Sequence, residues 1–461
     1  MRIKTKQIEM CSGPLMLNIL RFSVPVMLAA LFQQLYTAAD TVIVGRYAGE
    51  TALAGVGTAG SVTSLILNLF LGLSSGVSVV LGKALGAKDD KAVSSAVHTS
   101  ISISIWAGAL VTVLGILLSK PLLILINVPN AVMGESLAYL RIVFIGEIPV
   151  LVYNFGSAIL RAKGDSKRPL YIVTASGFIN VGLNLFFVVI LKIGTAGVAL
   201  ATVLSQVFSA SAVLFLLCRG TDITKLSLKH IHTDMHQLQE ITKVGIPSGL
   251  QSTIFNLANL TVQSGINSFG PAAIAGSAAA GNIGGFLYGM LNAFFQTAIA
   301  FVSQNMGAKN YDRISKIIGC CIACVTAVWG LQIAVVLLWS HELIGIYAPD
   351  NPEAIHMGTI RLIITGCSYG LGGYMEVMSG VLRGMGKSFG NMLTSLFGIC
   401  GVRVLWMLTV FPRFRSFEVL FMAFPLSFLC TFLLNSVLVI SAKRKLRLLP
   451  DPAAATLLSE I

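Results

Sequence analysis

The stretch SAILRAKGDS at residues 157–166 recurs as SGVLRGMGKS at residues 379–388. Two other pairs of segments keep nearly the same spacing, since LGKALGAKDD resembles VSQNMGAKNY and YLRIVFIG resembles TIRLIITG. The separation within each pair is 220 to 222 residues. An offset this constant, at about half the length of the chain, predicts two copies of one structural unit.

The amino-acid composition places these units in a membrane. Hydrophobic residues make up 55% of the chain, charged residues 11%, and the mean hydropathy is +0.83. Soluble domains have about 25% charged residues, so the composition excludes a water-soluble globule. The formal net charge of +13 does not indicate nucleic-acid binding, because the basic residues lie in short loops between apolar runs. The expected partner is the lipid bilayer.

Twelve apolar runs are long enough for a membrane-spanning helix, which needs about 20 residues. They lie near residues 14–45, 51–82, 92–119, 133–160, 169–191, 194–218, 238–268, 272–305, 316–340, 355–382, 388–411 and 416–441. We therefore predict an all-α polytopic membrane protein built as two pseudo-symmetric six-helix bundles. The predicted parts are an N-terminal lobe at residues 1–218, a cytoplasmic linker at 219–240 and a C-terminal lobe at 241–461.

The positions of lysine and arginine predict the orientation in the cell membrane. They collect before the first helix, in even-numbered connections and at the end of the chain, for example at Arg2, Lys88, Arg168 and Arg444. Cytoplasmic loops carry such an excess, so we expect both termini in the cytoplasm. Each lobe has an even number of helices and both insert the same way, which allows a cavity between them to open to either face.

The first apolar run contains an aspartate. Asp40 lies one and two helical turns after Tyr36 and Gln33, so one helix face carries all three side chains. A carboxylate near the middle of a membrane costs about 3 kcal/mol on insertion scales, which favours a functional role. Pro25 interrupts the backbone hydrogen bonds earlier in the same helix and allows a bend.

Three further polar residues accompany Asp40 in the first half. Asn180 and Asn184 lie one turn apart on the predicted fifth helix, and Thr202 lies on the sixth. With Asp40 they offer only oxygen ligands, which suit a proton or a sodium ion and do not suit zinc or copper. We predict that these four residues bind a small hard cation or a proton. The alternatives are that the asparagines only bond neighbouring helices and that Asp40 is a satisfied polar group of the core.

The second half carries different polar residues. The predicted lining of a substrate cavity comprises Gln33, Tyr36 and Asn154 of the first half and Asn256, Asn259 and Gln263 of the second half. The carboxylate of this half is Glu376, and Arg403 lies on the next helix. Antiparallel neighbours can bring the two together, so we predict a structural ion pair in which the acid stays ionised. The sequence assigns no role to Glu147.

Signals of enzymatic chemistry are weak. The sequence has no HExxH motif and no P-loop, and we predict no catalytic residue, no bound metal and no cofactor besides the transported cation. The cysteines of CCIAC at residues 320–324 begin an apolar helix and are expected to pack as small hydrophobic residues. The protein is therefore not expected to be an enzyme.

Taken together, these features resemble the multidrug and toxic compound extrusion (MATE) family over nearly the whole chain. They are Pro25 with the run QQLYTAADTVIVG, the GAK tripeptides after the second and eighth helices, the loops LRAKGDSKRP and LRGMGKS, and the twelve-helix duplication. The resemblance implies a secondary active antiporter that exports amphipathic, often cationic, organic molecules in exchange for protons or sodium ions. The alternative is a flippase or exporter of a lipid-linked or endogenous metabolite. We expect a monomer.

The resemblance also implies roles for individual residues. The cation site that family members have in the N-terminal lobe is matched here by Asp40, Asn180, Asn184 and Thr202, which the resemblance implies couple transport to a cation. Gln33 and Tyr36 match residues of that lobe's cavity. Some relatives have an aspartate where this chain has Asn184. Sodium-coupled relatives carry acids where this chain has Phe255 and Gly372, which argues against a sodium site in the C-terminal lobe.

Overall fold

The computed structural model describes residues 7–447 except 127, 348 and 350. Within this part of the chain, all regular structure is helical and twelve long helices follow one another. They are α1 (Leu15–Ala48), α2 (Glu50–Ala87), α3 (Asp90–Leu125), α4 (Asn130–Ile145 and Glu147–Ala162), α5 (Lys167–Ile190), α6 (Gly194–Cys218), α7 (Met235–Asn267), α8 (Pro271–Gly307), α9 (Tyr311–Gly345), α10 (Pro352–Gly384), α11 (Ser388–Thr409) and α12 (Phe417–Arg447).

Most of these helices can cross a membrane. In the described part of the chain, nine are long and apolar enough on their own, and the two segments of α4, bent by 48°, form a tenth. Helices α7 and α10 have 33 residues each but are more polar. Each predicted apolar run corresponds to one helix, so the predicted all-α polytopic fold is confirmed. The predicted division into two lobes and a linker at 219–240 stays a prediction; helix α7 begins at Met235, where Asp234 caps it.

The repeated loops adopt the same backbone conformations in both halves. Lys88 and Lys309, the last residues of the two GAK tripeptides, both have a φ of 57°. Gly164 and Gly386 occupy matching positions of the LRAKG and LRGMG loops and have φ values of 89° and 81°. Left-handed residues of this kind end helices, so matching helices of the two halves end alike. The duplicated sequence therefore folds as duplicated structure.

The two lobes meet through close backbone contacts of α2 with α7 and α8. A Cβ atom added to Gly72 would lie 2.2 Å from the backbone nitrogen of Gly249, and one added to Gly86 would lie 1.9 Å from the carbonyl oxygen of Gln304. These contacts lie toward the end of α2 that leads into the basic GAK loop. By contrast, a Cβ atom at Gly60, in the other half of α2, would meet nothing within 4 Å.

The segment before α1 joins the lobes on this same side. The backbone N–H of Ile8 donates to the carbonyl of Gly164 at 3.2 Å in the N-terminal lobe. The amide of Asn305 in α8 donates to the carbonyl of Met10 at 3.1 Å. The residues 7–13 therefore bridge both halves of the protein.

Three helices contain a π-helical turn beside a candidate site residue. Val44–Ala48 ends α1, Leu185–Ile190 directly follows Asn184 in α5, and Leu396–Gly401 lies just before Arg403 in α11. Such wide turns are rare and often occur at functional sites. Their position is consistent with the site residues proposed from the sequence.

Candidate transport site

Asp40 lies in a hydrogen-bonded cluster with the two asparagines of α5. The side-chain nitrogen of Asn184 donates to Asp40 Oδ1 at 2.5 Å and lies 3.2 Å from Asn180 Oδ1. Asn180 and Asn184 are 1% and 0% exposed, whereas Asp40 is partly exposed. The structure thus brings together three of the four predicted cation-site residues, with the carboxylate at the accessible edge of the cluster.

The other predicted residues of this lobe are placed less directly. The hydroxyl of Thr202 donates to the carbonyl of Val198 within α6 at 3.0 Å. Tyr36 packs against Gly177 of α5, and Gln33 is exposed. Tyr139 of α4, which the sequence did not single out, packs against a buried apolar cluster that includes Val44 of α1 and Val188 of α5.

A polar cavity of about 390 Å³ lies between the lobes. Its lining comes from α2, α4, α7, α8 and α10, and comprises Asn68, Leu71, Gly72, Ser74, Ser75, Asn154, Arg161, Gln251, Ser252, Phe255, Asn256, Tyr288, Asn292, Phe295, Gln296, Glu376 and Arg383. Two of the six predicted cavity residues, Asn154 and Asn256, are in this lining. Asn259 and Gln263 have partners elsewhere, since Asn259 accepts a hydrogen bond from Arg403 and Gln263 donates to Asn267 at 3.0 Å.

The predicted ion pair between Glu376 and Arg403 is wrong. Glu376 instead accepts a hydrogen bond from the hydroxyl of Tyr288 at 2.5 Å. Arg403 is 0% exposed and donates to Asn259 Oδ1 at 2.6 Å and to Ser427 Oγ at 3.1 Å. Neutral oxygens therefore hold the guanidinium, and Tyr288 of α8 occupies the place beside the acid.

Aromatic rings complete the environment of Arg403. Its guanidinium carbon lies 4.1 Å from the ring centre of Phe424, and 5.4 Å from those of Phe255 and Phe428. Cation–π contacts of this length are favourable, most of all in a dry environment. Arg403 is thus a buried cation held by neutral oxygens and aromatic rings, and its structural role stays a prediction.

Arg161 and Arg383 are matching residues of the repeated stretches SAILRAKGDS and SGVLRGMGKS. Both lie in the last turns of their helices, α4 and α10, and line the cavity between the lobes. Arg383 is only 6% exposed. The excess of basic residues near a helix end indicates its side of the membrane but not where each side chain points, so the sequence could not place these two.

Glu147 lies at the bend of α4. It begins the second segment of that helix and is 1% exposed, and its Oε2 atom has no hydrogen-bond partner among the described residues. At the same bend, Thr112 of α3 donates to the carbonyl of Phe144 at 2.7 Å and satisfies a group that the bend leaves free. The described residues contain no cluster of side chains suited to hold a metal ion.

Two helical lobes with a polar cavity between them, and a buried acid–amide cluster in one lobe, define a membrane transporter. The chain belongs to the MatE family, whose profile matches residues 25–186 and 247–407. The family prediction is thereby confirmed.

Individual relatives match most of the chain. It is 25% identical to the probable multidrug resistance protein YoeA of Bacillus subtilis (strain 168), over 90% of this chain and 91% of the relative. It is 23% identical to the multidrug export protein MepA of Staphylococcus saprophyticus, over 85% and 86%. A solved structure described as the outward-facing conformation of a multidrug resistance MATE family transporter has a TM-score of 0.90 at 20% identity, over 96% and 99% of the two chains.

Proposed function

We propose that this protein is a secondary active exporter of amphipathic organic molecules, driven by the inward flow of protons or sodium ions. The observation that carries the proposal is the contact of Asp40 with Asn184, because it couples a chargeable group on α1 to α5. Membership of the MatE family and relatives named as multidrug resistance and export proteins support it.

The geometry of this contact suggests how a cation acts. Asn184 presents its nitrogen to the carboxylate, so the amide N–H is the hydrogen-bond partner of Asp40 in this structure. An arriving proton or sodium ion competes with that N–H for the same carboxylate oxygen. The buried Asn184 Oδ1, which has no partner among the described residues, becomes a further oxygen ligand if the amide turns over. Occupancy of the site therefore alters the contact between α1 and α5.

The lobe contacts suggest which face is open. The contacts at Gly72 and Gly86 and the bridging segment at residues 7–13 lie near the basic GAK and LRAKG loops. If those loops are cytoplasmic, as the positive-inside rule predicts, the lobes are closed on the cytoplasmic side. Export then requires that these contacts open to admit the substrate and close again behind it.

The available energy limits what can be exported. One charge that crosses a potential of about 150 mV releases about 3.5 kcal/mol, at 2.3 kcal/mol per 100 mV. This supports a concentration ratio of a few hundred, since 1.4 kcal/mol corresponds to a factor of ten. If a monovalent cationic molecule leaves for each proton that enters, the charges cancel and only the pH gradient remains. The charge of the substrate therefore decides which part of the gradient is used.

The proposal is tested by substrate efflux in proteoliposomes with an imposed pH gradient or an imposed sodium gradient. We expect uphill movement with one of the two, and its loss when an ionophore removes that gradient. Movement that only runs downhill under both gradients would refute secondary active export and leave a passive pathway.

A further inference from the structure

We propose that the cavity between the lobes binds the carboxylate or phosphate group of an amphipathic substrate between Arg161 and Arg383. This inference rests on the proposed function and specifies its substrate class. It departs from the cationic substrates that the family resemblance led us to expect.

The two arginines are equivalent residues of the duplicated sequence. Each lies in the last turn of its helix, α4 in the N-terminal lobe and α10 in the C-terminal lobe, and both line the same cavity. One guanidinium therefore comes from each lobe. A ligand held by both bridges the surfaces that move apart in alternating access, so its binding is sensitive to the conformation of the transporter.

The guanidinium of Arg383 is held in place by neutral groups. Its Nη2 atom donates to Gln251 Oε1 at 2.8 Å, and its Nη1 atom lies 3.3 Å from Ser75 Oγ. Gln251 is itself fixed, because Asn391 donates to its oxygen at 2.9 Å and its nitrogen donates to Ser395 at 2.7 Å. The guanidinium of Arg383 also makes a cation–π contact with Phe295, whose ring centre lies 4.7 Å from the guanidinium carbon. A site of this kind is preorganised for a ligand.

Both guanidinium groups retain unused donors. The Nε atoms of Arg161 and Arg383 are buried and have no hydrogen-bond partner among the described residues. A buried donor without a partner is unfavourable, and a planar guanidinium matches the two oxygens of a carboxylate or phosphate. An oxyanion in the cavity would satisfy the donors that the protein itself leaves free.

The balance of charge in the cavity favours the same ligand. Among the described lining residues, Arg161 and Arg383 are basic and Glu376 is the one acid, and Tyr288 already donates to that acid. The rest of the lining is uncharged, with amides and serines beside the rings of Phe255 and Phe295. A ligand with an oxyanion and an apolar body meets both kinds of surface, whereas a simple organic cation meets an excess of positive charge.

The experiment compares a rhodamine dye that has a free carboxylate with its methyl ester. Binding is measured by fluorescence anisotropy to the full-length protein in phosphatidylcholine nanodiscs. We expect the free acid to bind about tenfold more tightly, which corresponds to 1.4 kcal/mol and is close to the lower limit for a hydrogen bond to a charged group, about 1.5 kcal/mol.

Arg161 is the residue to change, because no hydrogen bond to another described side chain depends on its Nε atom. We expect Arg161→Gln to abolish the preference for the free acid and Arg161→Lys, which keeps the charge, to retain part of it. The matched control is Arg415→Gln, since Arg415 is exposed in the loop before α12, and it should keep the full preference.

Three results would overturn the inference. They are equal or tighter binding of the ester to the wild type, a preference that survives Arg161→Gln, and displacement of the free acid by phosphatidylglycerol, which would make a lipid headgroup the occupant. The assay uses no ion gradient. Its failure therefore leaves coupled export untouched, and a failure of coupled export leaves the dye preference untouched.

Discussion

Substitution of Gly86 by alanine should open the lobe contact on the side of the basic loops. The added Cβ atom would lie 1.9 Å from the carbonyl oxygen and 2.8 Å from the carbonyl carbon of Gln304, and 3.0 Å from the backbone nitrogen of Ala308. All three atoms belong to the backbone of the opposite lobe, so no side chain can turn away to relieve the clash. Closure of the lobes must then become less favourable.

The magnitude follows from the cost of overpacking, which is about 1–3 kcal/mol for an extra methyl group in a tight contact. Alanine also favours a helix over glycine by about 1 kcal/mol, but this gain is equal in the open and closed forms and cancels in their ratio. We therefore expect the ratio of open to closed protein to rise by about 5- to 150-fold, since 1.4 kcal/mol is a factor of ten.

Spin labels report this ratio as a distribution of distances. In a chain without native cysteines, labels at Lys91 and Lys316, both exposed and on opposite lobes, measure the separation near the basic loops. We expect longer distances in Gly86→Ala. The distances should stay unchanged in the control Gly60→Ala, where an added Cβ atom would meet nothing within 4 Å. An unchanged distribution in Gly86→Ala would refute the assignment of this contact as a closed gate.

Two further predictions concern stability. Burial alone would raise the pKa of Asp222, but the charge of Lys163 at 3.0 Å and hydrogen bonds from Thr224 and Gln7 outweigh it and lower the pKa. Hydrogen exchange should therefore show the linker docked at neutral pH and released only below about pH 4, the usual range of an unfolded aspartate. A release that Asp222→Asn leaves unchanged would contradict this prediction. Arg403→Gln removes two charge-assisted hydrogen bonds of about 1.5 kcal/mol each, so it should lower the free energy of unfolding in detergent by about 3 kcal/mol. An unchanged free energy of unfolding would refute the structural role of the guanidinium.

The sequence predicts the helices well because long apolar runs leave few alternatives in a membrane. It also predicts which polar residues of α1 and α5 meet, since Asp40 and Asn184 each interrupt an apolar helix and need a polar partner. Helix number, order and the duplicated loops follow from the same simple constraints.

Partners across helices are harder to predict, because they depend on how each helix is rotated. Glu376 and Arg403 are on adjacent helices, yet neither is the other's partner. Glu376 accepts a hydrogen bond from Tyr288 of α8, and Arg403 donates one to Asn259 of α7. A tyrosine in an apolar helix carries no signal that marks it as a hydrogen-bond donor to a particular acid. The cavity position of Arg161 was missed for a similar reason, since a basic residue at a helix end usually faces the cytoplasm.

The central claim is that the charge of Asp40 couples cation entry to export, and the most direct measurement is gradient-driven uphill transport by Asp40→Asn in proteoliposomes. The matched control is Asp90→Asn, which removes an exposed carboxylate at the start of α3. The account predicts that Asp90→Asn transports as the wild type does, whereas Asp40→Asn still folds and binds substrate but no longer moves it uphill. Uphill transport at the wild-type rate by Asp40→Asn would contradict the account.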